Sequence, residues 1–132
     1  MSKIEKFEDI LAWQRARELT REIYGATKAG AFARDFGLRD QIQRAAVSTM
    51  ANVAEGFERG GDKEFIQFLS HSKGSCGEVK SHLYAALDQS YVTKEQFQGL
   101  YAHADEVSRL TSGFMAYLQQ SKVGGHKFKR AN

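Results

Sequence analysis

Residues 38–59 read LRDQIQRAAVSTMANVAEGFER, and this run decides the fold. Wound at about 100° per residue, it puts Leu38, Ile42, Ala46, Thr49, Met50, Val53 and Phe57 on one side. Gln41, Arg44, Ser48, Asn52, Glu55 and Arg59 fall on the other side as a ladder of hydrogen-bonding groups at i, i+3 and i+4 spacing. The first stripe requires a core, and the second requires water or a partner. Ser48 and Asn52 are poor residues for an exposed helix interior, because their side chains compete for the backbone. Short polar groups flanked by Ala45 and Ala54 suit a covered seam, against another helix, another subunit or a nucleic-acid phosphate. A solvated face with one Glu55–Arg59 pair is the alternative.

Working outward, the pattern predicts an all-α chain of four amphipathic helices over residues 8–28, 38–59, 62–89 and 94–120. In the first, Ile10, Trp13, Ala16, Leu19, Ile23 and Tyr24 face inward. Gly30 and Gly37 bracket a loop whose Phe32 and Phe36 are expected to plug the bundle end. Gly60-Gly61 ends the second helix, and Asp62 is the expected N-cap of the third. The third buries Phe65, Phe68, Leu69, Ser72, Cys76, Val79, Leu83 and Leu87. Thr93-Lys94-Glu95-Gln96 has the form of a capping box and opens the fourth, whose inward residues are Phe97, Leu100, Tyr101, Ala104, Val107, Phe114 and Leu118. Short links make an antiparallel up-down-up-down bundle over residues 1–121 the expected architecture. Residues 122–132 read as a flexible basic tail.

The totals agree. With 132 residues the chain has room for one well-formed core, and no proline interrupts the helices. A hydrophobic content of 42% with 27% charged residues is that of an ordinary globular protein. No apolar run reaches membrane-spanning length. Cys76 is the one cysteine, which excludes an internal disulfide and fits a cytoplasmic setting. Charge is unevenly spread. Residues 1–106 carry 14 Lys+Arg against 16 Asp+Glu, a balance of −2. Residues 107–132 hold Arg109, Lys122, Lys127, Lys129 and Arg130 and no acid, a balance of +5. The basic character belongs to the C-terminal end rather than to the body.

Helix three carries two further rows. Ser70, Gly74, Gly77 and Ser81 recur at i, i+4, i+7 and i+11, and two interior glycines cost about 0.8–1 kcal/mol each relative to alanine. Such a row admits a close helix, either inside the subunit or across a subunit interface. His71, Ser75, Glu78 and His82 form the other row. Its two histidines stand about 16 Å apart along the axis, too far to share an ion.

Motifs for chemistry are missing. The chain has no phosphate-binding Gly-x-x-x-x-Gly-Lys-Ser/Thr loop, no Gly-x-Ser-x-Gly elbow and no His-Glu-x-x-His helix. Cys76 falls on the apolar stripe, where a buried thiol is expected rather than a nucleophile. Glu55 is the best candidate acid, and Arg59 one turn later is expected to pair with it. The expectation is a non-enzymatic protein with no cofactor and no metal.

The segment Gln41-Ile-Gln-Arg-Ala-Ala-Val-Ser48, continued through Asn52-Val-Ala-Glu-Gly56 to Arg59, resembles the signature of the intervening-sequence proteins. These are four-helix bundles encoded within insertions in bacterial large-subunit ribosomal RNA genes. Phe7, Trp13, Ala16, Phe36-Gly-Leu38, Phe65, Phe68-Leu69, Gly74-Ser75, Glu78 and Tyr91 match as well, so the likeness covers about residues 7–92. Ala33 departs from it, since the family often has proline there. The resemblance implies a ring-like homo-oligomer, with a pentamer expected, and a fold shared with the nucleic-acid-binding accessory proteins of diversity-generating retroelements. It singles out Arg44, Ser48, Asn52, Glu55, Gly56, Arg59 and Glu78 as an interface or partner-binding set.

The functional expectation is an oligomeric helical adaptor associating with RNA, single-stranded DNA or a nucleic-acid-bound protein. Arg15, Arg17, Arg21, Arg34 and Arg39 would contact phosphate together with Lys122, Lys127, Lys129 and Arg130. The alternative is an interaction oligomer that binds no nucleic acid. The balance of −2 over residues 1–106 favours that alternative.

Overall fold

The structure, a computed structural model, describes residues 3–124, with side chains to residue 120. It is all-α, with no strand among the described residues. A 3₁₀ turn, Phe7–Asp9, precedes α1 (Leu11–Thr27). Then come α2 (Gly30–Arg34), α3 (Phe36–Arg59), α4 (Asp62–Asp88) and α5 (Lys94–Gly124).

Local chemistry sets most of the boundaries. The first turn of the predicted helix one is 3₁₀ rather than α, and Ile10 is extended, at φ −83° and ψ 120°. The backbone N–H groups of Glu5 and Lys6 donate to the Asp9 carboxylate at 3.0 and 3.2 Å and hold its pKa below the usual value. The predicted loop after α1 contains the short helix α2. Its Phe32 is buried and stacks on Tyr91 at 5.2 Å, as a plug should. Phe36 is not a plug: it is 63% exposed beneath the Arg39 guanidinium, 4.8 Å from the ring centre. The reason is positional, since Phe36 opens α3 on its outer side while Phe32 faces the bundle.

Asp35 caps α3, accepting the Leu38 N–H at 3.1 Å, and its other carboxylate oxygen accepts the Tyr91 hydroxyl at 2.9 Å. One side chain thus fixes the start of α3 and ties it to the segment entering α5. That bond raises the Tyr91 pKa, because the phenol proton is held by a carboxylate. Gly60 ends α3 in the left-handed region at φ +101°. Gly61, not Asp62, occupies the N-cap of α4. Asp62 is already inside the helix, where its charge faces the first-turn N–H groups. The Thr93–Gln96 box forms in both directions, at 2.8 and 3.0 Å. α5 continues four residues past the predicted end at residue 120.

α1 packs on α3 and α5, α3 on α4, and α4 on α5, which closes a helical bundle. The core fills its length. One cluster gathers Leu19, Ile23, Ile42, Ala46, Val79, Leu83 and Val107. The other gathers Val53, Phe57, Phe65, Leu69 and Leu118. Cys76 is fully buried, as expected. Burial pushes its thiol up to about 11. A neutral thiol is a poor nucleophile, so thiol reagents should label Cys76 only as the chain opens in urea. The sign for stability follows. Below pH 9 the thiol is neutral in both states. As pH rises from 9 toward 11 the unfolded chain ionises first, so the Cys76 contribution to stability falls across that window. A Cys76→Ser comparison by urea melts at pH 8 and pH 10.5 checks this.

Candidate interaction face on α3

Two edges of α3 are occupied inside the chain. Toward α4, Gly56 lies so close to the facing helix that an added Cβ would stand 2.8 Å from both Phe65 Cδ1 and Phe68 Cβ. The Ser72 hydroxyl donates to the Thr49 carbonyl at 2.7 Å, with both residues fully buried. The Ser75 hydroxyl donates to Ser48 Oγ at 2.8 Å, and Asn52 Nδ2 donates to Ser48 Oγ and to its carbonyl at 2.8 and 2.9 Å. Toward α1, Thr20 Oγ1 donates to the Ala46 carbonyl at 2.9 Å, and Gln43 Nε2 to Thr27 Oγ1 at 2.9 Å.

The ladder therefore divides. Ser48 is half-buried and joins the α3–α4 seam through Ser75, Asn52 is half-buried and bonded to Ser48 on its own helix, and Gln41, Arg44, Glu55 and Arg59 are exposed. Glu55 and Arg59 pair at 2.9 Å, and the Arg59 guanidinium lies 5.1 Å from the centre of the Phe68 ring.

Between these edges the outer face of α3 forms a depression of about 600 Å³, lined by Asp40, Gln43, Arg44, Val47, Ser48, Ala51, Asn52 and Glu55 of α3 and by Tyr24 of α1. A second depression, of about 260 Å³, adjoins it toward α4 and is lined by Gln41, Arg44, Ala45, Ser48, Glu78 and His82. Arg44 and Ser48 belong to both.

Tyr24 corrects an expectation. It is 43% exposed and faces this depression rather than the core. Adjacent residues on a helix stand 100° apart, so with Ile23 fully buried Tyr24 is turned toward the edge. Asp40, Gln43, Val47 and Ala51 join Tyr24 as lining residues outside the set expected from the sequence; they flank the ladder on the α1 side, and the same angular arithmetic places the 40% exposed Val47 there.

Charge in the larger depression is mostly paired. Asp40 is held by Arg39 at 3.0 Å and Glu55 by Arg59 at 2.9 Å. Arg44 makes no ion pair with any described residue.

The proposed phosphate-contacting arginines separate in the same way. Arg15 is engaged by Glu18 at 3.3 Å and Glu106 at 3.6 Å. Arg39 also donates to the Ala33 carbonyl at 3.0 Å. Arg17 is exposed, 5.8 Å from the centre of the Trp13 indole, and Arg21 and Arg34 are exposed as well. The side chain of Lys122, together with Lys127, Lys129 and Arg130, lies outside the described residues.

Ser70, Gly74, Gly77 and Ser81 are all exposed, and a Cβ at either glycine would meet nothing within 4 Å. No helix among the described residues packs on the row. His103, for which the sequence suggested no role, sits between α5 and α1 with Nδ1 2.9 Å from Glu22 and Nε2 3.9 Å from Glu18. Nearby, Lys80 holds Asp105 at 2.6 Å and is the main cause of its depressed pKa.

Among the described residues no three His, Cys, Asp or Glu side chains are placed to hold a metal ion, and no helix is long and apolar enough to cross a membrane.

The family model of the 23S rRNA-intervening sequence protein matches residues 8–113. The chain belongs to that family. The match spans α1 to the middle of α5, so it includes the outer face of α3 and the whole α3–α4 seam of this intervening-sequence family member. Its fold is similar to a crystal structure of a protein of unknown function from the S23 ribosomal protein family of Bacteroides thetaiotaomicron VPI-5482. That likeness has a TM-score of 0.72 at 20% identity and covers 80% of this chain and 98% of the other. At that identity the likeness establishes the fold alone. No curated protein matches the chain.

Proposed function

We propose that this protein is a non-enzymatic, self-associating helical adaptor that binds RNA, or a protein carried on nucleic acid, in the cytoplasm. The family carries the RNA half of the reading, being described by the intervening sequence of 23S rRNA. The empty space over Gly74 and Gly77 supports the self-association half, because an exposed glycine row costs helix stability with no return among the described residues. The bundle is read as antiparallel, up-down-up-down, since only Gly60 and Gly61 separate α3 from α4 and five residues separate α4 from α5. The assembly is read as a ring, five copies being what the family resemblance implies.

Light scattering at low and high salt, with absorbance at 260 and 280 nm from the same run, tests the reading on the full chain and on residues 1–124. Nucleic acid that co-purifies at low salt and is shed at high salt supports it, as released counterions require. A multimer that retains neither structured RNA nor single-stranded DNA at low salt refutes the RNA half. That result would leave the second reading, an interaction oligomer without nucleic acid, which the exposed glycine row equally favours.

Gly74→Leu addresses self-association directly. A Cβ at Gly74 meets no described atom within 4 Å and the position is exposed, so the circular-dichroism spectrum should be unchanged while the mass in solution falls toward the 14.8 kDa of one copy. An unchanged mass would remove the row from the interface.

A further inference from the structure

We infer that the depression on the outer face of α3 is a binding site for single-stranded RNA, with Tyr24 stacking on a base and Arg44 holding an adjacent phosphate. The inference rests on the RNA reading above and adds the site and the strandedness to it.

Three observations converge there. Tyr24 is 43% exposed and makes no ring contact with a described residue, so a flat aromatic face is presented at the wall of the depression. Bases that are already stacked in a duplex cannot use such a face, whereas unpaired bases can. Second, Asp40 and Glu55, the two acids lining this depression, are matched by Arg39 and Arg59, while Arg44 has no counter-ion among the described residues. The unmatched charge is the cationic one, as a phosphodiester requires. Third, Asn52 spends its amide N–H groups on Ser48 and leaves its carbonyl without a partner among the described residues, an acceptor for a base edge.

The volume of about 600 Å³ suits one or two nucleotides rather than a long strand. Glu78 lines the smaller depression and not the larger, and makes no ion pair with a described residue. The phosphate is therefore placed on the Tyr24 side of Arg44.

Fluorescence anisotropy of a labelled mixed-sequence 12-nucleotide RNA, single-stranded or annealed to its complement, tests the site on the full chain at low salt. Tyr24→Ala should weaken single-stranded binding about ten-fold, and Tyr24→Phe should stay within about two-fold, because stacking needs the ring and not the hydroxyl. Arg44→Gln should weaken binding and lower the salt slope by about one phosphate contact. The duplex should bind less tightly than the single strand and be indifferent to Tyr24.

Binding by Tyr24→Ala and Arg44→Gln at wild-type strength overturns the site and leaves the RNA reading standing. No binding by the wild type at low salt overturns both. If either variant loses mass by light scattering along with RNA, the face is a subunit contact and the site is overturned.

Discussion

Gly56→Ala is expected to destabilise the protein by about 2 kcal/mol, against the usual direction of that change. In a helix interior alanine is favoured over glycine by about 1 kcal/mol, through lower backbone entropy in the unfolded chain. At Gly56 the new methyl group would stand 2.8 Å from Phe68 Cβ and from Phe65 Cδ1, and 3.4 Å from Phe65 Cε1. A Cβ is fixed to its own backbone, so relief on the Phe68 side requires α3 and α4 to move apart. That movement would stretch the Ser72–Thr49 and Ser75–Ser48 bonds, both of which cross the same helix pair. Overpacking of this kind costs about 3 kcal/mol, more than the propensity gain. The control is Gly99→Ala on α5. It is the same chemical change with open space around it, so it should stabilise the isolated subunit by about 1 kcal/mol. Urea midpoints of the two variants moving in opposite directions would show that Gly56 is kept for the close α3–α4 approach. A raised midpoint for Gly56→Ala would remove that role.

Periodicity exposed most of this architecture in the sequence, because four helices with one buried stripe each leave a strong 3.6-residue signal. The stripe of α3 is buried at Ile42, Ala46, Thr49, Val53 and Phe57, and that of α4 at Phe65, Leu69, Ser72, Cys76, Val79 and Leu83, with Met50 and Phe68 only partly covered. The capping box at Thr93 and Gln96 formed as its spacing requires. What periodicity hides is which helix covers which edge. Ser48 could have faced water, a partner or α4; only the position of Ser75 across the crossing settles that it joins α4, with Asn52 bonded behind it on α3. The glycines show the same limit from the other side. Gly56 and Gly74 look alike on paper, yet one meets Phe65 and Phe68 while the other meets nothing within 4 Å. Long-range polar links were equally silent. Asp35 and Tyr91 are 56 residues apart in sequence and share a 2.9 Å hydrogen bond. Tyr24 was misread because an apolar-looking residue beside Ile23 was counted into the stripe without its 100° offset.

Phe65→Ala should be the most damaging single truncation at this crossing, at about 3–5 kcal/mol, a large share of the 5–15 kcal/mol typical of a whole domain. Phe65 is fully buried, and its ring meets Phe57 edge-on at 6.1 Å and Phe114 edge-on at 5.4 Å, joining α3, α4 and α5. Alanine would empty the space between three helices that the α3–α4 and α4–α5 contacts hold in place, so the cavity cannot fully collapse. The same ring supplies two of the three contacts that oppose a methyl group at position 56. The two sites must therefore couple. In the Phe65→Ala background, Gly56→Ala places its methyl in the vacated space and retains only the Phe68 Cβ contact. Its penalty should shrink by about 1 kcal/mol, which a double-mutant cycle of urea melts resolves. Strict additivity of the two changes would mean that α3 and α4 are not held against each other at Gly56, and would undercut the close helix crossing on which the placement of the whole outer face of α3 depends.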